Sequence, residues 1–277
     1  MASLEYFRSR RMGQAMEKPF DQQAPALKAY RRAARMLGVQ PGMRILDAGC
    51  GLGAGSWLLA TLGARVTGVD LSGDAVAWAQ QTYGQAPLEN GGSLCFETAD
   101  LASWRPDAAY DAVVLADVLE HFPRQEGTGL LRRLLGGLDV LDTPSPRGWT
   151  DGLFLHLPIT ANLIDWPLLV KNRLLLRRLR GQVLDHHGDP THRARYGLDD
   201  LLPLTRAAGA RIVQIELRVY RPRIKPLERV MLDLRPHLLT RLGGSVVTDC
   251  DAVVLPELVA ALRLAPPDGE GAAIEEI

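Results

Sequence analysis

The most constraining stretch of this 277-residue chain is Arg44-Ile45-Leu46-Asp47-Ala48-Gly49-Cys50-Gly51-Leu52-Gly53-Ala54-Gly55. An apolar run ends in an aspartate, glycine then occupies every second position, and a helical pattern follows. This reads as a strand, a tight turn and a helix start. Glycine tolerates positive φ and leaves no Cβ between the backbone and a ligand. The helix N-terminus beyond the turn offers unpaired N–H groups and the positive end of a dipole. A nucleotide-like ligand is expected on this turn.

Glycine spacing alone leaves two readings open, because Gly49-Cys50-Gly51-Leu52-Gly53-Ala54 also fits the dinucleotide fingerprint ending in alanine. Asp47 tilts the choice, since a carboxylate there suits a cationic ligand and repels a pyrophosphate. The pattern resembles motif I of the class I S-adenosylmethionine-dependent methyltransferases. In that family the acid at the Asp47 position lies near the cofactor's amino group, and the turn Gly49, Gly51, Gly53 holds its methionine part.

Further acids end further strands. Ala64–Asp70 is an apolar strand whose last residue lies 21 positions after Gly49 (70 − 49). An acid there can accept both ribose hydroxyls, with Leu71 beginning the next turn and Ser72 capping a helix that runs through Tyr83. Ser93–Leu101 is a third strand carrying Asp100. The resemblance implies that Asp100 receives the adenine amine and that the N–H of Leu101 meets a ring nitrogen. Tyr110–Asp117 is a continuous apolar strand, as expected for one buried on both faces. Asp117-Val118-Leu119-Glu120-His121-Phe122 then resembles the family's motif IV, which places Asp117 against the cofactor and His121 beside the transferred methyl. The alternative for His121 is a polar helix-start residue that only hydrogen-bonds.

A helix is expected over Leu130–Leu141, a turn-rich loop over Asp142–Gly148 and a fifth strand over Leu153–Pro158. The alternation indicates a doubly wound α/β sheet with right-handed crossovers. The resemblance implies seven mostly parallel strands, the last antiparallel, with sixth and seventh strands over Arg211–Leu217 and Ser245–Leu255. Upstream, Ala24–Leu37 has helical periodicity and Gly38 stops it. The expected organisation is an N-terminal helical lid over residues 1–40, carrying the aromatics Tyr6, Phe7 and Phe20, and a cofactor-binding core over 41–160. An inserted acceptor-side cap over 161–196 follows, then the remaining sheet over 197–264 with a second basic excursion, and a disordered tail over 265–277.

Thr160–Gln182 reads as a basic amphipathic helix. Lys171–Arg241 holds 16 basic and 7 acidic residues, an excess of 9 (16 − 7), inside a chain of net charge +0. Three readings compete for it: a cap for an anionic or amphiphilic acceptor, a membrane-surface or partner contact, and a solvated face. Asp185, His186, His187, Asp189 and His192 invite a metal reading. Gly188 and Pro190 make the stretch a loop without helical ligand spacing, so no metal is expected. The resemblance instead sets His187, His192, Arg195 and Tyr196 on the acceptor side, with His121 and His192 as candidate bases.

Composition excludes little. Net neutrality gives no argument for nucleic acid. Cys50, Cys95 and Cys250 are far apart and suit a reducing compartment. No apolar run approaches membrane-spanning length, and no signal-peptide core is seen, so a cytoplasmic location is expected. The expected activity is methyl transfer from S-adenosylmethionine to a small-molecule acceptor. A cofactor-binding partner protein without catalysis is the alternative, and a nicotinamide-dependent oxidoreductase the third reading.

Overall fold

In the computed structural model the described residues are 24–85, 88, 90–106, 109–138, 152–158, 192–194, 196–219 and 247–257. The expected disordered tail, the basic helix, the second basic excursion, Tyr6, Phe7, Phe20, His187 and Arg195 lie outside them.

Seven strands form one sheet in the order β3-β2-β1-β4-β5-β7-β6. They are β1 (Arg44–Ala48), β2 (Arg65–Asp70), β3 (Ser93–Thr98), β4 (Ala112–Ala116), β5 (Gly152–Pro158), β6 (Ala210–Val219) and β7 (Val247–Pro256). Strands β1 to β5 pair in parallel, and β7 runs antiparallel to both β5 and β6. The chain winds outward from β1 through β2 to β3, then returns to place β4 on the other side of β1. A crevice opens at such a switch point, outside the C-terminal ends of the strands. The glycine turn sits there.

Helices α1 (Ala24–Leu37), α2 (Ala54–Thr61), α3 (Gly73–Tyr83), α4 (Arg124–Leu135) and α5 (Leu198–Ala207) connect and cover the sheet. Because side chains alternate along a strand, successive residues enter two different cores. Ile45, Ala112, Val114 and Phe154 join Tyr30, Ala33, Leu37 and Leu59 on the side of α1 and α2. Leu46, Val113, Leu115, Leu153 and Leu155 join Leu130, Leu134, Leu201 and Tyr196 on the side of α4 and α5. Covering on both faces is why β4 reads as an unbroken apolar run and β5 as one interrupted by His156.

Local signals act where expected. Gly38 has φ 62° after α1, and Val39 N–H donates to Ala34 O at 2.9 Å, as a C-terminal cap requires. The Ser72 hydroxyl accepts from Ala75 N–H at the start of α3. Both ends of one helix move: α4 spans Arg124–Leu135 rather than Leu130–Leu141. Pro123 fixes φ at −54° just before it, and an early proline suits a helix start. The polar first turn hid that start from periodicity.

Phe154 is fully buried between β5 and the α1 side of the sheet. Phe154→Ala is expected to cost about 3–5 kcal/mol of stability, read from the urea unfolding midpoint at unchanged slope.

Candidate functional site

The site begins with a carboxylate that is not on its surface. Asp47 ends β1 fully buried. Tyr30 Oη of α1 donates to its Oδ1 at 2.8 Å, and Ser56 Oγ of α2 donates to its Oδ2 at 2.5 Å. The side chain expected near a ligand amino group is therefore held by two helices beneath the turn. Burial drives its pKa from 3.8 up to about 7, against the opposing effect of the two hydrogen bonds. Tyr30 reaches it because the ring lies over Gly55, where a Cβ would come within 2.2 Å of the ring.

Above Asp47 the glycines divide their work. Gly49 (φ 86°), Gly51 (φ 53°) and Gly53 (φ 77°) all lie in the left-handed region. A Cβ on Gly49 would strike Val118, and one on Gly53 would strike Phe96 and Ala79. A Cβ on Gly51 would meet nothing within 4 Å. Gly51 is thus the member whose missing side chain leaves open space at the turn.

Asp70 ends β2 and grips this turn. Its Oδ2 accepts from Gly51 N–H at 2.8 Å and its Oδ1 from Ser72 N–H at 2.8 Å. Both oxygens are oriented, and each keeps a further lone pair for a hydroxyl donor. Leu71 stands beside it 57% exposed. Beyond β3, Asp100 is exposed and accepts from Ala102 N–H at 2.8 Å, while the Leu101 side chain packs into the core.

On the other side of the switch point, Asp117 follows β4 with φ 54°, a left-handed conformation uncommon outside glycine. Its N–H donates to His156 O at 3.2 Å. Its Oδ1 lies 3.6 Å from His156 Nε2. His156 Nδ1 lies 2.7 Å from Asp251 Oδ1 on β7, directly opposite in the strand register. Burial raises the Asp251 pKa, but hydrogen bonds from His156 and from Arg32 of α1 outweigh it and hold the group below the ordinary value. An ionised Asp251 only accepts, so the Nδ1 of His156 carries the proton. None of Arg32, His156 and Asp251 stood out in the sequence, because each sits within an apolar strand or an amphipathic helix.

The 3₁₀ turn Leu119–His121 comes next. The backbone carbonyl of Glu120 accepts from Arg193 N–H at 2.8 Å and Ala194 N–H at 3.0 Å. Those bonds bring a distant segment in, so that the rings of His121 and His192 meet edge to face at 4.9 Å between centroids. The two histidines named from sequence are therefore neighbours. Glu120 was missed, although it lies within the same motif. Tyr196, expected to face the acceptor, is buried in the core under Arg124, whose guanidinium carbon is 5.4 Å from the ring centre. Burial raises its pKa to about 12, which suits a packing residue rather than an acid–base group. Tyr196 adjoins a cleft of about 210 Å³ with Arg124, Thr128, Asp200 and Leu204.

Residues 45–138 match a family described as "Methyltransferase domain". Over those residues the chain is similar to methyltransferase domains. The matched stretch includes the glycine turn, Asp47, Asp70, Asp100 and Asp117, and the 3₁₀ turn. The chain is 42% identical over 94 residues to the magnesium-protoporphyrin O-methyltransferase of Synechocystis, covering 34% of this chain and 40% of that protein. It is 40% identical over 85 residues to the ubiquinone biosynthesis O-methyltransferase of Burkholderia thailandensis, covering 30% and 35%. The matched part thus spans about two fifths or less of these relatives. Among solved structures, magnesium protoporphyrin IX methyltransferase from Synechocystis with bound SAH superposes with TM-score 0.58 at 22% identity, over 90% of this chain and 96% of that one. A SAM-dependent methyltransferase from Methanosarcina mazei gives TM-score 0.52 at 19% identity, over 78% and 92%. These likenesses establish the methyltransferase fold. Among the described residues no helix is long and apolar enough to cross a membrane.

The raised pKa of Asp47 has a consequence for stability. A group whose folded pKa lies above its unfolded value stabilises the fold at low pH and loses that contribution as pH rises through the folded pKa. Between about pH 4 and 7 Asp47 should therefore cost the domain on the order of a few kcal/mol. Asp200, Asp251 and Glu216, whose pKa values are lowered, act in the opposite sense below that window. Asp47→Asn should flatten the fall in stability over pH 4–7, measured by chemical denaturation at several pH values.

Proposed function

We propose that the chain transfers a methyl group from S-adenosylmethionine to a small-molecule acceptor. The observation that carries this reading is the pairing of open space at Gly51 with the doubly anchored Asp70 carboxylate beside it. A cradle without a Cβ, flanked by an oriented acceptor pair and an exposed leucine, suits a nucleoside with a flexible tail. In this reading Asp70 receives the ribose hydroxyls, Leu71 covers one face of the base, and Asp100 with the Leu101 N–H meets the adenine edge. The glycine turn and Asp117 flank the amino-acid tail, and Asp47 supports the turn from below. When bound, the cofactor supplies a methyl group on a sulfonium, already electrophilic.

The chain's own residues then have to position an acceptor and exclude water. His121 and His192 stand together one short turn past Asp117, and we assign them to orienting or deprotonating the acceptor nucleophile. His187 and Arg195 belong to the same acceptor-side reading from the sequence. Tyr196 supports that wall from the core. Relatives named as O-methyltransferases acting in magnesium-protoporphyrin and ubiquinone biosynthesis support a small organic acceptor, with oxygen as the favoured attacking atom. The basic excess over Lys171–Arg241 favours an acceptor with anionic or amphiphilic character. A cytoplasmic location and the absence of nucleic acid as substrate complete the reading.

Asp70→Ala should weaken S-adenosylmethionine binding at least ~10-fold, given about 1.5–3 kcal/mol per charge-assisted hydrogen bond. Calorimetry on the folded variant reads this, and unchanged affinity would remove the ribose assignment. Gly51→Val should block the same binding. His121→Ala and His192→Ala should keep cofactor affinity. Their turnover in a methyl-release assay should fall by about 10²–10⁴-fold if either acts as a base.

A further inference from the structure

Glu120, His121 and His192 form a cluster of which the methyl-transfer reading uses only the two histidines. One ligand atom from each, a carboxylate oxygen and two imidazole nitrogens, lies within 4.8 Å of the other two. Glu120 Oε1 is 3.9 Å from His192 Nε2, with the side chains only 3% and 9% exposed. The two rings stand nearly perpendicular, at 79°. Backbone bonds hold the frame: His121 N–H donates to Val118 O at 3.0 Å, and Arg193 and Ala194 N–H groups donate to Glu120 O. Three donors from two distant segments are thus fixed on one spot before any ligand arrives.

We infer that Glu120, His121 and His192 form a binding site for one divalent transition-metal ion. Donors on such an ion lie at about 2.0–2.2 Å from it, which places them roughly 3–3.5 Å from one another. From the present spacing, up to 4.8 Å, the donors draw together by about 1–2 Å to bind such an ion. Two imidazoles and one carboxylate suit zinc, cobalt, nickel, manganese or ferrous iron rather than calcium or magnesium, which take mainly oxygen. The charge balance agrees, since a carboxylate this deeply buried is stabilised by a cation. Three protein ligands leave coordination positions for water or for an oxygen-bearing small molecule. The cluster is close to the glycine turn, because Val118, two residues before Glu120, is the side chain that packs over Gly49. An ion here stands on the acceptor side of the turn.

Metal binding does not depend on methyl transfer, so the two are tested separately. The full-length protein is stripped with a chelator and dialysed. It is then titrated with Zn²⁺ by calorimetry and with Co²⁺ by visible absorption, and bound metal is counted by elemental analysis. The wild-type chain should take up one equivalent and show the absorption of low-symmetry Co²⁺. Glu120→Gln, which keeps the side-chain volume, and His121→Ala and His192→Ala should each lose at least ~10-fold in affinity with circular dichroism unchanged. The double variant His186→Ala/His187→Ala should bind as wild type does. No stoichiometric uptake by the wild-type chain would overturn the site. Unchanged affinity in the folded His121→Ala and His192→Ala variants would do the same, as would loss only in the His186/His187 variant.

Discussion

The hydrogen bonds that converge on Asp47 are the interaction on which the rest of the structure depends. One buried carboxylate receives Tyr30 from α1 and Ser56 from α2. It thereby locks the end of β1, the turn after it and the two helices that cover one face of the sheet. A buried carboxylate is costly unless satisfied, and these two donors supply that satisfaction. Burial outweighs the two neutral donors and pushes the Asp47 pKa up to about 7.

Around this anchor the sheet's topology sets a division between two sides of a crevice. On the β2 side, Asp70 clamps the turn through Gly51 and opens the next loop through Ser72. On the β4 side, Asp117 sits in a left-handed conformation against His156, which Asp251 and Arg32 hold from behind. The strand register makes this second arrangement possible, since Ala116 lies opposite His156 and His156 opposite Asp251. The antiparallel β7 is needed for it. The last strand therefore does more than close the edge of the sheet: it places a charge behind a residue at the mouth of the site.

Much of this was legible in the sequence because short-range physics carries it. Apolar runs bounded by glycine and acids located β1, β2, β4 and β5 within a residue or two, and Gly38 and Ser72 marked helix ends by their own chemistry. The count of seven strands and the antiparallel β7 came from family resemblance, not from periodicity. Side-chain partners were harder. Asp47 looked like a ligand contact because nothing in the sequence says that Tyr30 and Ser56 will cover it. Tyr196 looked like an acceptor contact because its neighbours His192 and Arg195 are polar, yet the ring turns inward between α4 and α5. The meeting of His121 with His192 depends on two backbone hydrogen bonds to Glu120, a contact between segments about 70 residues apart with no local signature.

We propose that a nucleoside-bearing cofactor lies on the Gly51 surface and is held by Asp70. A crystal structure of the chain grown with S-adenosylhomocysteine tests it most directly. The account predicts density over Gly51, with both ribose hydroxyls within hydrogen-bond distance of the Asp70 carboxylate and the adenine between Leu71 and Asp100. The same structure would contradict the account if the ligand lay elsewhere on the sheet, or if Asp70 were turned away from it.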